Sequence, residues 1–290
     1  MSLLVFGRSG QLATELGLAA PEATFLGREE ADLSDPAACA AAIEAHAPSA
    51  VINAAAWTAV DAAETEEAAA HVVNAAAPGA MAAACAARAI PFLHVSTDYV
   101  FDGAGTAPWT EDAPTAPLGA YGRTKLAGEV AIAEAMEGRA PWAVLRTSWV
   151  VSAHGSNFVK TMLRLGAERD ALRVVDDQVG APTPAADLAA ALLVMEGRMR
   201  EPRPPSGLFH LASAPHVSWA GLAAHIMERA GLPCRIEPIP SSEFPTPAAR
   251  PLNSRLSGAR LHAAFGIGPI NWQPSLDAIL AQMNTPKEKI

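Results

Sequence analysis

The most restrictive feature lies at the start of the chain, where the apolar run Leu3–Phe6 ends on Gly7, Arg8, Ser9, Gly10, Gln11, Leu12 and Ala13. A glycine directly after a strand permits a tight turn. A second one lets the backbone approach a pyrophosphate at a helix N-terminus, and Ala13 is small enough for close helix–strand packing. Glycines also close ordinary turns, so the motif gains its weight from the rhythm of the downstream segments. Strand-like runs recur at Thr24–Leu26, Ala50–Asn53, Phe92–Ser96 and Ala143–Thr147. They alternate with helical stretches at Gln11–Leu18, Pro36–His46, Glu66–Arg88 and Tyr121–Met136. This rhythm predicts an α/β fold with a doubly wound parallel sheet of the Rossmann type, binding its ligands at the carboxyl ends of the strands.

With 290 residues, half of them hydrophobic, the chain can bury one large domain and a smaller lobe. We expect residues 1–150 to form the dinucleotide-binding domain, with residues 171–200 returning to it. Residues 151–170 and 201–290 then make a smaller, mainly C-terminal substrate-binding lobe. Helices are expected at Asn157–Glu168 and Ala185–Met195, and strands at Leu172–Val175 and Leu208–Leu211, the last after the proline-dense EPRPPSG.

A net charge of −9 argues against a general nucleic-acid binder. Cys39, Cys85 and Cys234 are far apart and without CxxC spacing, which suits a reducing compartment. With no signal-like start and no apolar run near the ~20 residues of a membrane span, a cytoplasmic protein without a membrane partner is expected. The eight histidines form no HxxxH or HxH pair, and no GxSxG elbow occurs, so neither a catalytic metal nor a serine hydrolase is indicated.

The tip of the second strand normally reads the adenosine ribose. Here it carries Gly27 and Arg28 and no acidic side chain. An arginine there accommodates a 2′-phosphate, and Arg8 offers a second cation, so NADPH is the expected cofactor, with NADH as the alternative. Arg28 is equally readable as a solvated surface arginine. Asp32 and Leu33 fall beside the adenine in this scheme. Asn53, Ala54, Ala55 and Ala56 follow the third strand and line the cofactor cleft.

Tyr121 and Lys125 open a predicted helix, and a spacing of four puts both on one face, a turn apart. With two tyrosines and four lysines in the chain, about 0.03 such pairs arise by chance. A nearby ammonium lowers a phenol from its usual value of about 10, and reaching about 7 takes roughly 4 kcal/mol. Tyr121 would then protonate the oxyanion formed as hydride reaches a carbonyl carbon, while Lys125 also bonds the nicotinamide ribose. At the end of the fourth strand Thr97 is the candidate third member. Ser96 competes with it, because adjacent strand residues face opposite sides.

These residues resemble the dTDP-4-dehydrorhamnose reductase family of the extended short-chain dehydrogenases. GRSGQLA, NAAAWTAVDAAE, VSTDYVFDG, PLGAYGRTKLAGE, RTSWV, NFVKTMLRL, DDQVGAPT and FPTPAARPLNSRL carry the resemblance over most of the chain. It implies reduction of the 4-keto group of dTDP-4-dehydro-β-L-rhamnose to dTDP-β-L-rhamnose, with Thr97, Tyr121 and Lys125 in the catalytic places. Trp149 falls where the family meets the sugar nucleotide. Thr58, Val60, Asp98, Tyr99 and Arg250 are further pocket candidates, Arg250 because its planar fork suits a diphosphate. Trp57 stands where a smaller polar aromatic such as histidine is expected, and both tryptophans also fit ordinary core positions. Some relatives dimerise through a metal held by acidic residues. Glu15 is present, but the C-terminal AQMNTPKEKI offers no partner cluster. No metal site is therefore carried over, Mg2+ stays open, and the protein is expected as a monomer or homodimer. A sugar-nucleotide epimerase or dehydratase on the same fold, and a non-catalytic NADP-binding regulatory subunit, are the alternative functions.

Overall fold

A computed structural model of the chain describes residues 2–284; the last part of the C-terminal AQMNTPKEKI, residues 285–290, lies outside the described residues. The chain runs through β1 (Leu3–Phe6), α1 (Gln11–Ala19), β2 (Thr24–Leu26), α2 (Pro36–His46), β3 (Ala50–Asn53), α3 (Val60–Ala63), α4 (Glu67–His71), α5 (Ala77–Ala87), β4 (Phe92–Thr97), α6 (Ala120–Met136) and β5 (Trp142–Thr147). Next come β6 (Val150–Val151), α7 (Phe158–Glu168), β7 (Ala171–Val175), β8 (Val179–Gly180), β9 (Thr183–Pro184), α8 (Ala185–Met199) and β10 (Gly207–His210). The chain ends with β11 (Ser213–Ala214), β12 (Val217–Ser218), α9 (Trp219–Ala230), β13 (Arg235–Ile239), α10 (Ala259–Phe265), β14 (Ile270–Asn271) and α11 (Trp272–Asn284).

Six parallel strands form the central sheet in the order β2-β1-β3-β4-β5-β10. After β1 the chain first adds β2 on one side and then returns to add β3 on the other. The strand order therefore reverses between β1 and β3, where open sheets of this kind leave a ligand crevice. Alternation along the strands loads both faces. Leu3 and Val5 pack with Leu12 and Leu16 of α1 and Leu188 and Leu192 of α8. Leu4 and Phe6 pack with Ile43 of α2, Met81 of α5 and Ile132 of α6. Each such side chain, once buried, contributes about 1.5–3 kcal/mol. Cys39, Cys85 and Cys234 are buried free thiols.

A second core, built from Val159 and Met162 of α7, Leu172 of β7, Ile226 of α9 and Leu276 of α11, belongs to the lobe. Two boundaries differ from expectation and one agrees with it. The Leu172–Val175 strand does not return to the central sheet, because it pairs with β13 inside the lobe. Residues 185–199 do return, since α8 covers the face that α1 leaves open. The strand assigned to the lobe at residues 207–210 is the sixth strand of the central sheet, paired with β5.

The expected single helix Glu66–Arg88 is also interrupted. Pro78 has no N–H to offer the Asn74 carbonyl four residues back, and the turn Val72–Ala76 widens into a π-helical segment between α4 and α5. By length and mean hydropathy the continuous stretch Glu67–Ala87 could cross a membrane. In this fold its second half contributes Met81, Ala82 and Cys85 to the core beside α2 and α6. The widened turn meets α6 closely: a Cβ placed on Gly128 would lie 2.1 Å from the Asn74 carbonyl oxygen.

Gly128→Ala is expected to destabilise the protein by about 1–3 kcal/mol through overpacking, despite the roughly 1 kcal/mol that alanine gains in helix propensity. Thermal unfolding checks this, and a midpoint at or above wild type contradicts the close approach.

Candidate active site

Gly7 sits at the end of β1 with φ of +115°, a conformation that L side chains rarely adopt. Its N–H donates to the Leu26 carbonyl at 2.8 Å, joining β1 to the end of β2. A Cβ on Gly7 would touch Ala13 and the Ala54 backbone at 3.4 Å, whereas the space in front of Gly10 is open. Gly10 caps α1, whose first turn holds no acidic side chain. The first turn of α1 therefore presents backbone N–H groups and a positive helix end to open space, which fits a pyrophosphate. Arg8 and Ser9 are exposed beside it, while Leu12 is buried in the core. Gln11 is committed elsewhere: its Oε1 accepts from Ser152 Oγ at 2.9 Å and Asn157 Nδ2 at 2.7 Å, and its Nε2 donates to the Val150 carbonyl.

The expectation of no acid at the tip of β2 needs correction. Glu30 folds back, accepting the Gly27 N–H at 2.9 Å and pairing with Arg8 at 2.7 Å. Three residues separate Glu30 from the strand, so the strand-end rule missed it. Arg28 is exposed at the same tip. Asp32 accepts the Ser34 N–H at 2.9 Å in the turn before α2, and Leu33 is buried in the core.

The N-terminus of α6 lies against the carboxyl end of β4. There the Thr97 hydroxyl sits beside the Tyr121 phenol, donates to Asp98 Oδ1 at 3.1 Å and accepts the Tyr99 N–H. Ser96 faces the other way, its buried hydroxyl without a partner, so the pairing with Tyr121 falls to Thr97. Tyr99 packs edge-on to Tyr121 with ring centroids 5.4 Å apart. One turn on, Lys125 is 1% exposed, and its Nζ donates to the Val95 carbonyl at 2.7 Å and lies 3.0 Å from His94 Nε2. Burial pushes the lysine down to about 8 and the Tyr121 phenol up to about 12. The expected lowering of Tyr121 by Lys125 is thus absent without cofactor, because the amine turns to β4 and desolvation prevails.

The loop after β3 brings further candidates to this corner. Asn53 is buried, Ala54 and Ala55 are half-buried, and Ala56 and Thr58 are exposed, with Val60 opening α3. Trp57 packs beside Tyr121, and Asn74 clamps the loop by accepting the Trp57 N–H and donating to the Trp57 carbonyl and to Thr124 Oγ1. Neither Asn74 nor His94 stood out in the sequence, since both sit inside regular elements with no motif spacing. Trp149 adopts φ of +51° and stacks on Trp219 with ring centroids 3.7 Å apart, joining the lobe core. The fork of Arg250 is already engaged bidentately by Asp61 at 2.6 and 2.8 Å, although its charge also reaches Tyr99. Glu15 lies 3.2 Å from His154, and among the described residues no group of three metal-ligating side chains occurs.

Burial raises Asp98 from the ordinary 3.8 to about 6, against hydrogen bonds from Ser254 and Thr97 that lower it. The folded protein holds this proton more tightly than the unfolded chain. The associated stability is complete below about pH 4 and is lost as pH rises through about 6. Asp98→Asn is expected to gain up to about 3 kcal/mol on wild type between pH 4 and pH 7. Urea unfolding at both pH values measures this, and an equal difference at the two contradicts a strained carboxylate.

A family model described as RmlD substrate binding domain matches residues 1–285. The dTDP-4-dehydrorhamnose reductase of Burkholderia thailandensis is 43% identical over 288 residues, covering 94% of this chain and 96% of its own length. A solved structure of a dTDP-4-dehydrorhamnose reductase from Clostridium acetobutylicum matches with a TM-score of 0.91 at 34% identity, covering 98% of this chain and all of the other. The Bacillus anthracis dTDP-4-dehydrorhamnose reductase in complex with NADP gives 0.89 at 29% identity, covering 97% and 99%. Matched over residues 1–285 by the family model and over 94% of its length by a relative 43% identical to it, the chain belongs to the RmlD substrate binding domain family.

Proposed function

We propose that this protein reduces the 4-keto group of dTDP-4-dehydro-β-L-rhamnose to the alcohol of dTDP-β-L-rhamnose. The observation that carries the reading is Tyr121, beside Thr97 at the carboxyl end of β4, with Lys125 one turn behind it. The same crevice begins at the open turn Gly7–Gly10, which suits the cofactor's pyrophosphate. When bound there, a nicotinamide dinucleotide supplies the hydride.

Tyr121 Oη donates the proton that the carbonyl oxygen takes as its carbon is reduced. A phenol pushed up to about 12 stays protonated across the working pH range, as a proton donor must. Thr97 Oγ1 orients that phenol and, by turning its one proton away from Asp98 Oδ1, offers the developing oxyanion a second hydrogen bond. Lys125 bonds the nicotinamide ribose. Asp98, Tyr99, Thr58, Val60 and Trp149 line the sugar-nucleotide side. Arg250 contributes a guanidinium that a diphosphate shares with Asp61.

Cofactor oxidation with dTDP-4-dehydrorhamnose generated in situ, with product stereochemistry determined, tests the reaction. Tyr121→Phe is expected to cut turnover by about 10²–10⁴-fold with little change in cofactor affinity. Near-normal turnover in that variant overturns the assignment.

The adenosine ribose falls at the β2 tip, where Arg28 and Arg8 favour a 2′-phosphate and Glu30 favours a 2′-hydroxyl. We read the balance as favouring NADPH, with NADH accepted. Glu30→Gln frees Arg8 and is expected to raise the NADPH-over-NADH affinity ratio about tenfold, corresponding to roughly 1.4 kcal/mol. Equilibrium titration with each cofactor checks it; an unchanged ratio removes Glu30 from the ribose site.

A further inference from the structure

Behind the proposed site a chain of hydrogen bonds crosses from β3 through β4 to α6. The Ala55 N–H donates to Asn53 Oδ1 at 3.1 Å. This backbone donor fixes which way the buried amide points, leaving Asn53 Nδ2 toward His94 Nδ1 at 3.1 Å. An amide NH₂ is only a donor, so His94 Nδ1 must be the bare nitrogen. A neutral imidazole then carries its proton on Nε2, which faces Lys125 Nζ at 3.0 Å. An ammonium has no lone pair with which to accept it, whereas an amine has one and still donates to the Val95 carbonyl.

We propose that Asn53, acting through the tautomer of His94, presents an N–H rather than a lone pair to Lys125 and so favours its neutral amine over the ammonium. The opposite state carries a misfit at every link. A protonated Lys125 needs a bare Nε2, which moves the imidazole proton to Nδ1, against the Asn53 amide. Turning that amide to accept it sets NH₂ against the Ala55 N–H, and each arrangement leaves a buried donor unmatched.

The surroundings do not restore the charge. Glu129, one turn along α6, is the nearest carboxylate, and its two oxygens are held by Arg146 of β5 at 2.9 and 2.6 Å. Tyr121, one turn earlier, is an uncharged phenol. From β4 Lys125 meets only His94 and a carbonyl, and burial keeps that imidazole well below its usual value. Burial alone already lowers the lysine, and the facing N–H acts in the same direction. His94 and Asn53 are thus positioning residues that act through Lys125. Within the proposed reaction, Asn53 and His94 would thereby set how readily Lys125 carries a positive charge near Tyr121.

The test uses the full-length, ¹⁵N-labelled protein without cofactor or substrate. A long-range ¹H–¹⁵N spectrum, with His94 assigned by its loss in His94→Gln, is expected to show a protonated Nε2 and a bare Nδ1. In Asn53→Asp the carboxylate accepts from both Ala55 and His94 Nδ1–H. The Lys125 Nζ titration is then expected to move up by at least about one pH unit, tenfold in proton affinity. A proton on Nδ1 in the wild type overturns the proposal, as does an identical Lys125 titration in both proteins. If Asn53→Asp does not fold, the wild-type tautomer decides alone. The functional consequence rests on the reductase reading, but tautomer and titration are read without turnover, so the two fail separately.

Discussion

A parallel sheet has to be covered on both faces, and that requirement organises the whole molecule. The middle strands β1, β3 and β5 carry buried side chains along their length, and β4 does so at every position but the half-buried Val95. Polar groups are therefore driven to one edge: Asn53, Thr97, Asp98 and Thr147 all sit at the carboxyl ends of their strands, where the chain turns into loops. His94 is the exception, buried midway along β4. It persists there because Asn53 from the neighbouring strand and Lys125 from the covering helix satisfy both ring nitrogens.

That covering helix approaches unusually closely. Gly122 passes over the Tyr99 carbonyl and Gly128 over the Asn74 carbonyl, at positions where a side chain would meet backbone. The approach brings Lys125 within reach of the Val95 carbonyl and seats Glu129 against Arg146. Among the buried groups this pair has its charges fully matched, with His210 and the Phe101 ring completing the guanidinium's surroundings. A buried ion pair of this kind adds little net stability over an apolar pair, yet loss of either partner is costly, so it fixes α6 in one register on the sheet. The proposed chemistry depends on that register, because Tyr121 and Lys125 reach β4 only when it holds.

The lobe is tied to the dinucleotide turn through Gln11, whose side chain binds Ser152 and Asn157 at the start of α7. Gln11, the residue next to Gly10, is thus a structural tie between the two layers. Trp149 performs a similar service at the exit of β5. Its left-handed backbone conformation turns the chain toward the lobe, and its ring stacks on Trp219 at the start of α9. The side of the crevice proposed for the sugar nucleotide is consequently framed by residues whose positions the lobe core sets.

The sequence by itself determined the strands of the first half, the glycine turn after β1 and the Tyr121–Lys125 helix, because these rest on local periodicity and short spacing, whereas the break in Glu66–Arg88 escaped it. Strand alternation and a four-residue helical interval are written in neighbouring residues. Tertiary structure decided what depends on partners distant in sequence. It sent Leu172–Val175 to the lobe and Gly207–His210 to the central sheet, since a buried strand does not encode its neighbour. It brought Glu30 back to the β2 tip, turned Thr97 rather than Ser96 toward Tyr121, and engaged Arg250 with Asp61. It also placed Asn53, His94 and Lys125 in one chain of hydrogen bonds, although up to 72 positions separate them. Donor and acceptor pairing between strands follows from packing in three dimensions, and no local pattern of residues carries it.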